Sequence, residues 1–103
     1  MMKTLAAACG LLLAAQAWTA PFAGADLTQG QALHARHCVA CHSAQFGGPD
    51  GANAYLRPDH KVKSANALAQ RITVCTTMLK LELFPEDELN IAGYLNSRYY
   101  KFQ

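Results

Sequence analysis

Cys38-Val39-Ala40-Cys41-His42 is the stretch on which the reading of this chain turns. It is a C-x-x-C-H run, the pattern of c-type haem attachment. Its spacing carries the chemistry. Cysteines at i and i+3 on a helical turn share one face, so two thiols can add to the two vinyl groups on one porphyrin edge. The histidine that follows turns toward the iron and can be its proximal ligand. With 4 Cys and 4 His in 103 residues, composition alone gives ~0.006 such runs. Structural zinc takes a second ligand pair at similar spacing, and no second C-x-x-C or H-x-x-x-H occurs. A thioredoxin-like dithiol would sit near a βαβ pattern, which the sequence lacks. The expectation is one covalent haem c on Cys38 and Cys41, with His42 on the iron.

Upstream of the motif, Met1-Met2-Lys3 is a short cationic start and Leu5 to Ala15 an apolar run. Together they read as the n- and h-regions of a secretory signal. The run is too short to span a bilayer. Two A-x-A sites compete. Cleavage after Ala17 leaves Trp18 at the new terminus; cleavage after Ala25 leaves Asp26. The second is favoured because globular patterning starts just after it. The expected organisation is a signal peptide over 1–25 and one domain over 26–103, with a retained N-terminal anchor as the alternative. Export fits the motif, because bacterial c-type haem is attached outside the cytoplasmic membrane, and it implies a periplasmic location. A domain this small has a thin core and usually needs a staple. A tethered apolar plate can be that staple.

Charge excludes more than it assigns. The chain carries a formal +2. Removing Lys3 lowers this by one, and two haem propionates would bring it to about −1. No basic run suggests nucleic acid, and no lysine ring marks a docking patch. No stable membrane insertion is expected once the signal is removed.

Downstream, Asp26 to His37 reads as a helix capped by Asp26 or Thr28, with Leu27, Ala32, Leu33 and Ala35 as its apolar content. Gly30 inside it costs about 1 kcal/mol against alanine. Ser43 to Asp59 is loop-like, broken by Gly47, Gly48, Pro49, Gly51, Asn53 and Pro58. Ser64 caps a second helix from about Ala65 to Val74, with Leu68, Ile72 and Cys75 on one stripe. Thr76 to Phe84 is a connector, briefly extended at most. Pro85-Glu86-Asp87-Glu88 starts the last helix, with proline near its first position and acids on its positive end. That helix runs to about Tyr100, with Ile91, Leu95 and Tyr99 at i, i+4, i+8.

Together these elements resemble a class I cytochrome c, over nearly all of residues 26–100. Gly30-Gln31-Ala32-Leu33 before Cys38 is similar to the family's first-helix pattern, and Ala92-Gly93-Tyr94-Leu95 to its last helix. The resemblance implies an all-α fold, about three main helices packed around one covalently bound haem. It implies a close crossing of the first and last helices, with Gly30 making room for Tyr94. Gly48-Pro49 resembles the proline whose carbonyl accepts a hydrogen bond from the proximal histidine, which would place Pro49 behind His42. Two positions depart from the pattern. His34 stands where an aromatic often follows Leu33, and the segment before the last helix is short. That short segment with its lone cysteine also resembles, over less of the chain, small high-spin cytochromes and the cytochrome domains of sulfur-oxidising enzymes.

The distal iron ligand stays open at this point. Met78 leads, as the only methionine outside the signal, and thioether ligation raises the potential; its other reading is a flexible core filler. Cys75, unpaired in the mature chain, is the next candidate, or else a small buried hydrophobe. His60 could ligate if its loop folded over the haem, but between Asp59 and Lys61 it reads as solvated. His34 and His37 read as surface residues, and Arg57 and Arg71 as solvated charges within possible reach of propionates. An open iron is a further option. Tyr94, Tyr99, Tyr100 and Phe102 read as helix packing rather than as a docking face.

The function these features imply is a periplasmic mono-haem one-electron carrier, not an enzyme, meeting redox protein partners as a monomer or a small subunit. The alternatives are a haem enzyme or sensor with an open or Cys-ligated distal site, and an electron-entry subunit of a larger redox complex. No acid–base pair, oxyanion loop or second metal site commits the sequence to turnover.

Overall fold

The computed structural model describes residues 20–103. The cationic start, the apolar run and the Ala15-Gln16-Ala17 site lie outside the described residues. Five helices follow in order: α1 (Leu27–His37), α2 (Val39–Phe46), α3 (Asn53–Leu56), α4 (Ala65–Met78) and α5 (Pro85–Leu95). A 3₁₀ turn at Pro49–Gly51 precedes α3, and a π turn at Asn96–Tyr100 extends α5. Among the described residues there is no strand, and no helix is long and apolar enough to cross a membrane. The architecture is all-α, with five helices where about three main ones were expected.

The most extensive helix pair is α1 with α5. Asp26 caps α1 by accepting from the Gln29 amide at 3.0 Å, and its own N–H donates to Asn90 Oδ1 on α5 at 2.8 Å. Gly30 makes the crossing close. A Cβ there would land on the Asn90 carbonyl oxygen, 2.6 Å from its carbon and 2.8 Å from Tyr94 Cβ. Gly30 and Tyr94 therefore meet as the pattern implied. The buried face of α1 is not the apolar set read from the sequence. Leu27, Ala32 and Ala35 are exposed, and the fully buried positions are Gly30 and His34, one helical turn apart.

The described residues before α1 belong to the packed body. Pro21 to Gly24 form a turn, Phe22 packs against the core, and Ala25 lies directly over Gly93 of α5. The core joins Leu68 and Ile72 of α4 to Ile91, Ala92 and Leu95 of α5, with Tyr55 and Tyr94 beside them. Thr73 Oγ1 donates to Glu88 Oε1 at 2.6 Å and ties α4 to α5 outside that core.

Two boundaries differ from expectation. The segment read as loop after Ser43 contains the second half of α2 and all of α3. Its glycines bend the chain between them: Gly47, Gly48 and Gly51 all have positive φ. Helix α4 starts where expected, with Ser64 accepting from the Ala67 amide at 3.1 Å. It then runs four residues past Val74. Thr76 stays helical with its hydroxyl bonded back to the Thr73 carbonyl at 3.2 Å. The helix ends in a Schellman arrangement, Lys80 N–H to Thr77 O at 3.1 Å and Leu81 N–H to Thr76 O at 2.9 Å, with Lys80 left-handed at φ 55. Lysine at that position gives the sequence no stop signal. Met78 is therefore the last residue of α4 and not part of a connector.

Candidate functional site

The C-x-x-C-H run forms the start of α2. Cys38 is its N-terminal boundary, and its amide donates to the His34 carbonyl at 2.9 Å. The His42 amide donates to the Cys38 carbonyl at 3.1 Å. These bonds wind Cys38, Cys41 and His42 into one turn. All three line a cavity of about 290 Å³. Leu68, Ile72 and Cys75 of α4 and Ile91 and Leu95 of α5 supply its apolar walls. A second lobe of about 480 Å³ shares His42, Phe46, Tyr55, Arg71, Cys75 and Tyr100 with the first. Beyond the shared Arg71, its outer lining carries Arg57 and Lys61, with His60 between them. The space as a whole is an apolar slot opening into a basic mouth.

The backbone behind His42 is tightly packed. Gly51, at φ +72, approaches so closely that a Cβ would sit 2.5 Å from His42 Cβ and 2.9 Å from its carbonyl carbon. The 3₁₀ turn and α3 that follow bring Tyr55 over the ring. The Tyr55 hydroxyl lies 2.7 Å from His42 Nδ1 and 2.9 Å from His34 Nε2. Tyr55 is buried, and His34 is 1% exposed. Behind Tyr55, the Tyr99 and Tyr100 rings stand 5.2 and 5.7 Å away. Asn96 holds the chain end that carries them, accepting from the Phe102 amide at 2.8 Å and donating to its carbonyl at 3.2 Å.

Burial keeps His34, His42 and the Cys38 thiol uncharged at ordinary pH. Burial, then the nearby His42 ring, lowers His34 to about 4. His42 is also lowered, by burial first and then by the Arg71 charge. Burial pushes the Cys38 thiol up to about 11, with smaller contributions from Cys75 and Cys41. A redox-active dithiol needs a thiolate stabilised near neutrality, and Cys38 is shifted the opposite way. Cys38, Cys41 and Cys75 are free thiols. Among the described residues no three His, Cys, Asp or Glu side chains converge as a protein-only metal site, so the donors do not form a zinc tetrad.

The other expected site residues fall as follows. The Pro49 carbonyl accepts from the Ala52 amide at 3.0 Å, and the partner recorded for His42 Nδ1 is Tyr55. Cys75 is half-buried and lines both lobes. Met78 touches only the inner lobe and is 75% exposed. His34, expected at the surface, is buried because Gly30 brings its face of α1 against α5; its ring lies 5.5 Å from Tyr94. His60 is half-buried, not solvated: it stands edge-on to Tyr100 at 5.6 Å, and its Nδ1 is buried without a hydrogen-bond partner among the described residues. Arg57 is half-buried, with its guanidinium 4.5 Å over Phe46 and its Nε 3.7 Å from Asp59. Arg71 is exposed and lines both lobes. The C-terminal tyrosines pack inward, as read. Tyr55 is the site residue that sequence reasoning missed. Its one signal was an aromatic inside a stretch otherwise dominated by Gly, Pro, Asn and Asp.

Compared with known proteins, the chain matches no family model, no curated protein and no solved structure.

Proposed function

We propose that this protein is a small exported c-type cytochrome that carries one electron on a single covalently bound haem. One observation carries the reading: Cys38, Cys41 and His42 line the same apolar cavity between α2, α4 and α5. Its lobes are of the size of cofactor sites, ~300–1,000 Å³. The donor set also fits. A porphyrin brings four nitrogens of its own, so the protein needs to supply only one or two more ligands. The orphaned His60 Nδ1 and the basic mouth are suited to carboxylates reaching out of the slot.

In this reading Cys38 and Cys41 hold the ring edge and His42 Nε2 binds the iron. Bound there, the group supplies a one-electron iron couple. The chain's own part is to exclude water with Leu68, Ile72, Ile91 and Leu95, and to hold His42 neutral and fixed. Cys75 would be better placed than Met78 to supply a further iron ligand, because it lines both lobes while Met78 stands mostly in solvent. That placement favours a second reading, a Cys-ligated haem protein of sulfur chemistry. The packing of Phe22 and Ala25 on α5 supports a signal cleaved after Ala17, which keeps both residues in the mature protein; the mass of the exported chain distinguishes Trp18 from Asp26 as its first residue.

Absorption spectra of the purified ferric and ferrous protein test the proposal. A low-spin spectrum with a near-infrared sulfur-to-iron band, lost in Met78→Ala, supports a methionine-ligated carrier. A low-spin thiolate spectrum lost in Cys75→Ser supports the second reading. A high-spin ferric spectrum with rapid cyanide binding sinks the carrier.

A further inference from the structure

The Tyr55 hydroxyl sits between two imidazoles, and it has one hydrogen to share. It can donate to only one ring nitrogen, so the other imidazole must donate to it. Two polarities satisfy both contacts, at 2.7 Å to His42 Nδ1 and 2.9 Å to His34 Nε2. In one, His34 Nε2–H donates to the phenol and the phenol donates to His42 Nδ1. That leaves the hydrogen of neutral His42 on Nε2, where no metal can bind. In the other, His42 Nδ1–H donates to the phenol oxygen and the phenol donates to His34 Nε2. That leaves the His42 Nε2 lone pair free. Only the second is compatible with a metal-binding His42.

We propose that Tyr55, backed by His34, is the positioning residue that sets the tautomer and ring orientation of His42. This rests on the proposed haem function and goes beyond it. A histidine ligand commonly donates its other N–H to a carboxylate, carbonyl or water, which fixes the ring and raises its basicity. Here a buried phenol takes that role, and its acceptor strength depends on the imidazole behind it, because hydrogen bonds in series polarise one another. The frame is rigid. His34 is held by the Gly30 crossing, Tyr55 by Tyr99 and Tyr100, and His42 by the close approach of Gly51. Burial keeps His34 uncharged, and with its hydrogen on Nδ1 its Nε2 accepts from the phenol. Packing alone would be met by phenylalanine at position 55; the hydroxyl between two ring nitrogens is what a positioning role adds.

The test uses the full chain, exported with covalent haem attachment, as wild type, Tyr55→Phe, His34→Leu and His34→Gln. Removing the acceptor makes the His42 ring a weaker donor to the ferric iron. Tyr55→Phe is therefore expected to keep covalent haem, to raise the midpoint potential and to shift the imidazole ¹⁵N resonances of His42. His34→Leu should raise the potential in the same sense by less. His34→Gln, whose amide oxygen can still accept, should stay closer to wild type. Wild-type potential and ¹⁵N shifts in Tyr55→Phe, with only lowered stability, overturn the positioning role and leave the haem reading intact. If Tyr55→Phe does not accumulate, an unchanged potential in His34→Leu overturns it equally. A wild-type protein without covalent haem overturns both.

Discussion

The α2 wall and the α4 wall of the cavity are built on different principles. On α2, Cys38, Cys41 and His42 are wound into one turn, and His42 has buried partners behind it in Tyr55, His34 and Gly51. On α4, Cys75 is a half-buried free thiol and Met78 stands largely in water. One wall is fixed before any cofactor arrives. The other offers side chains without committing them. If the cavity holds the proposed haem, this would separate two tasks: attachment and the proximal ligand would belong to the rigid wall, and the choice of a further ligand to the permissive one.

The sharpest way to break the comparison is to remove the thiols of the rigid wall. Cys38→Ala with Cys41→Ala is expected to abolish covalent haem altogether, read as loss of cofactor absorbance from the denatured chain on a gel. Retention of covalent haem would sink the whole reading. The next largest effect lies behind that wall. Gly30→Ala places a Cβ against the Asn90 backbone, which cannot rotate aside as a side chain can. The ~1 kcal/mol gain in helix propensity is outweighed by overpacking of about 3 kcal/mol against an immovable backbone, for a net loss of about 2 kcal/mol. Urea unfolding of the two proteins measures it. A stabilised variant would mean that α1 and α5 do not cross this closely.

His34 gives the rigid wall a pH signature. Its pKa falls from 6.5 to about 4 on folding, so between those values the unfolded chain binds the proton and the folded one does not. Stability from this residue is complete above pH 6.5 and declines as pH falls toward 4, by about 2–3 kcal/mol. Unfolding midpoints at pH 7.0 and 4.5 read the decline, which His34→Gln should reduce. An equal decline in that variant would assign it to other groups.

The rigid wall was also the more legible one. The C-x-x-C-H spacing and the Asp26 cap can be read locally, because each depends on a few adjacent residues, as can the Ser64 cap of α4 and the proline start of α5; the Gly30–Tyr94 encounter was implied only by the family resemblance. What escaped depends on distant contacts. His34 reads as polar surface until α5 is laid against Gly30. Tyr55 reads as a loop aromatic until α3 carries it over His42. Some of this had a trace: Gly30 and His34 are four residues apart, so whatever a close crossing buries at one it buries at the other. The end of α4 had none, since Lys80 takes a left-handed conformation that composition does not announce. That missing stop is why Met78 was expected in a connector and is found on a helix.

The smallest effect belongs to the permissive wall. A side chain that is 75% exposed removes little apolar surface from water. Met78→Ala should therefore change the stability of the haem-loaded protein by no more than about 0.5 kcal/mol, measured by thermal unfolding. A methionine bound to iron behaves otherwise: its removal deletes a bond and opens an axial position, and the cost rises to several times that figure. A near-zero result leaves α4 permissive, with Cys75 as the remaining donor on it. A cost above about 2 kcal/mol means that the last turn of α4 rearranges around the cofactor to bring Met78 inward. In that case the wall that looks uncommitted without haem is completed by binding it.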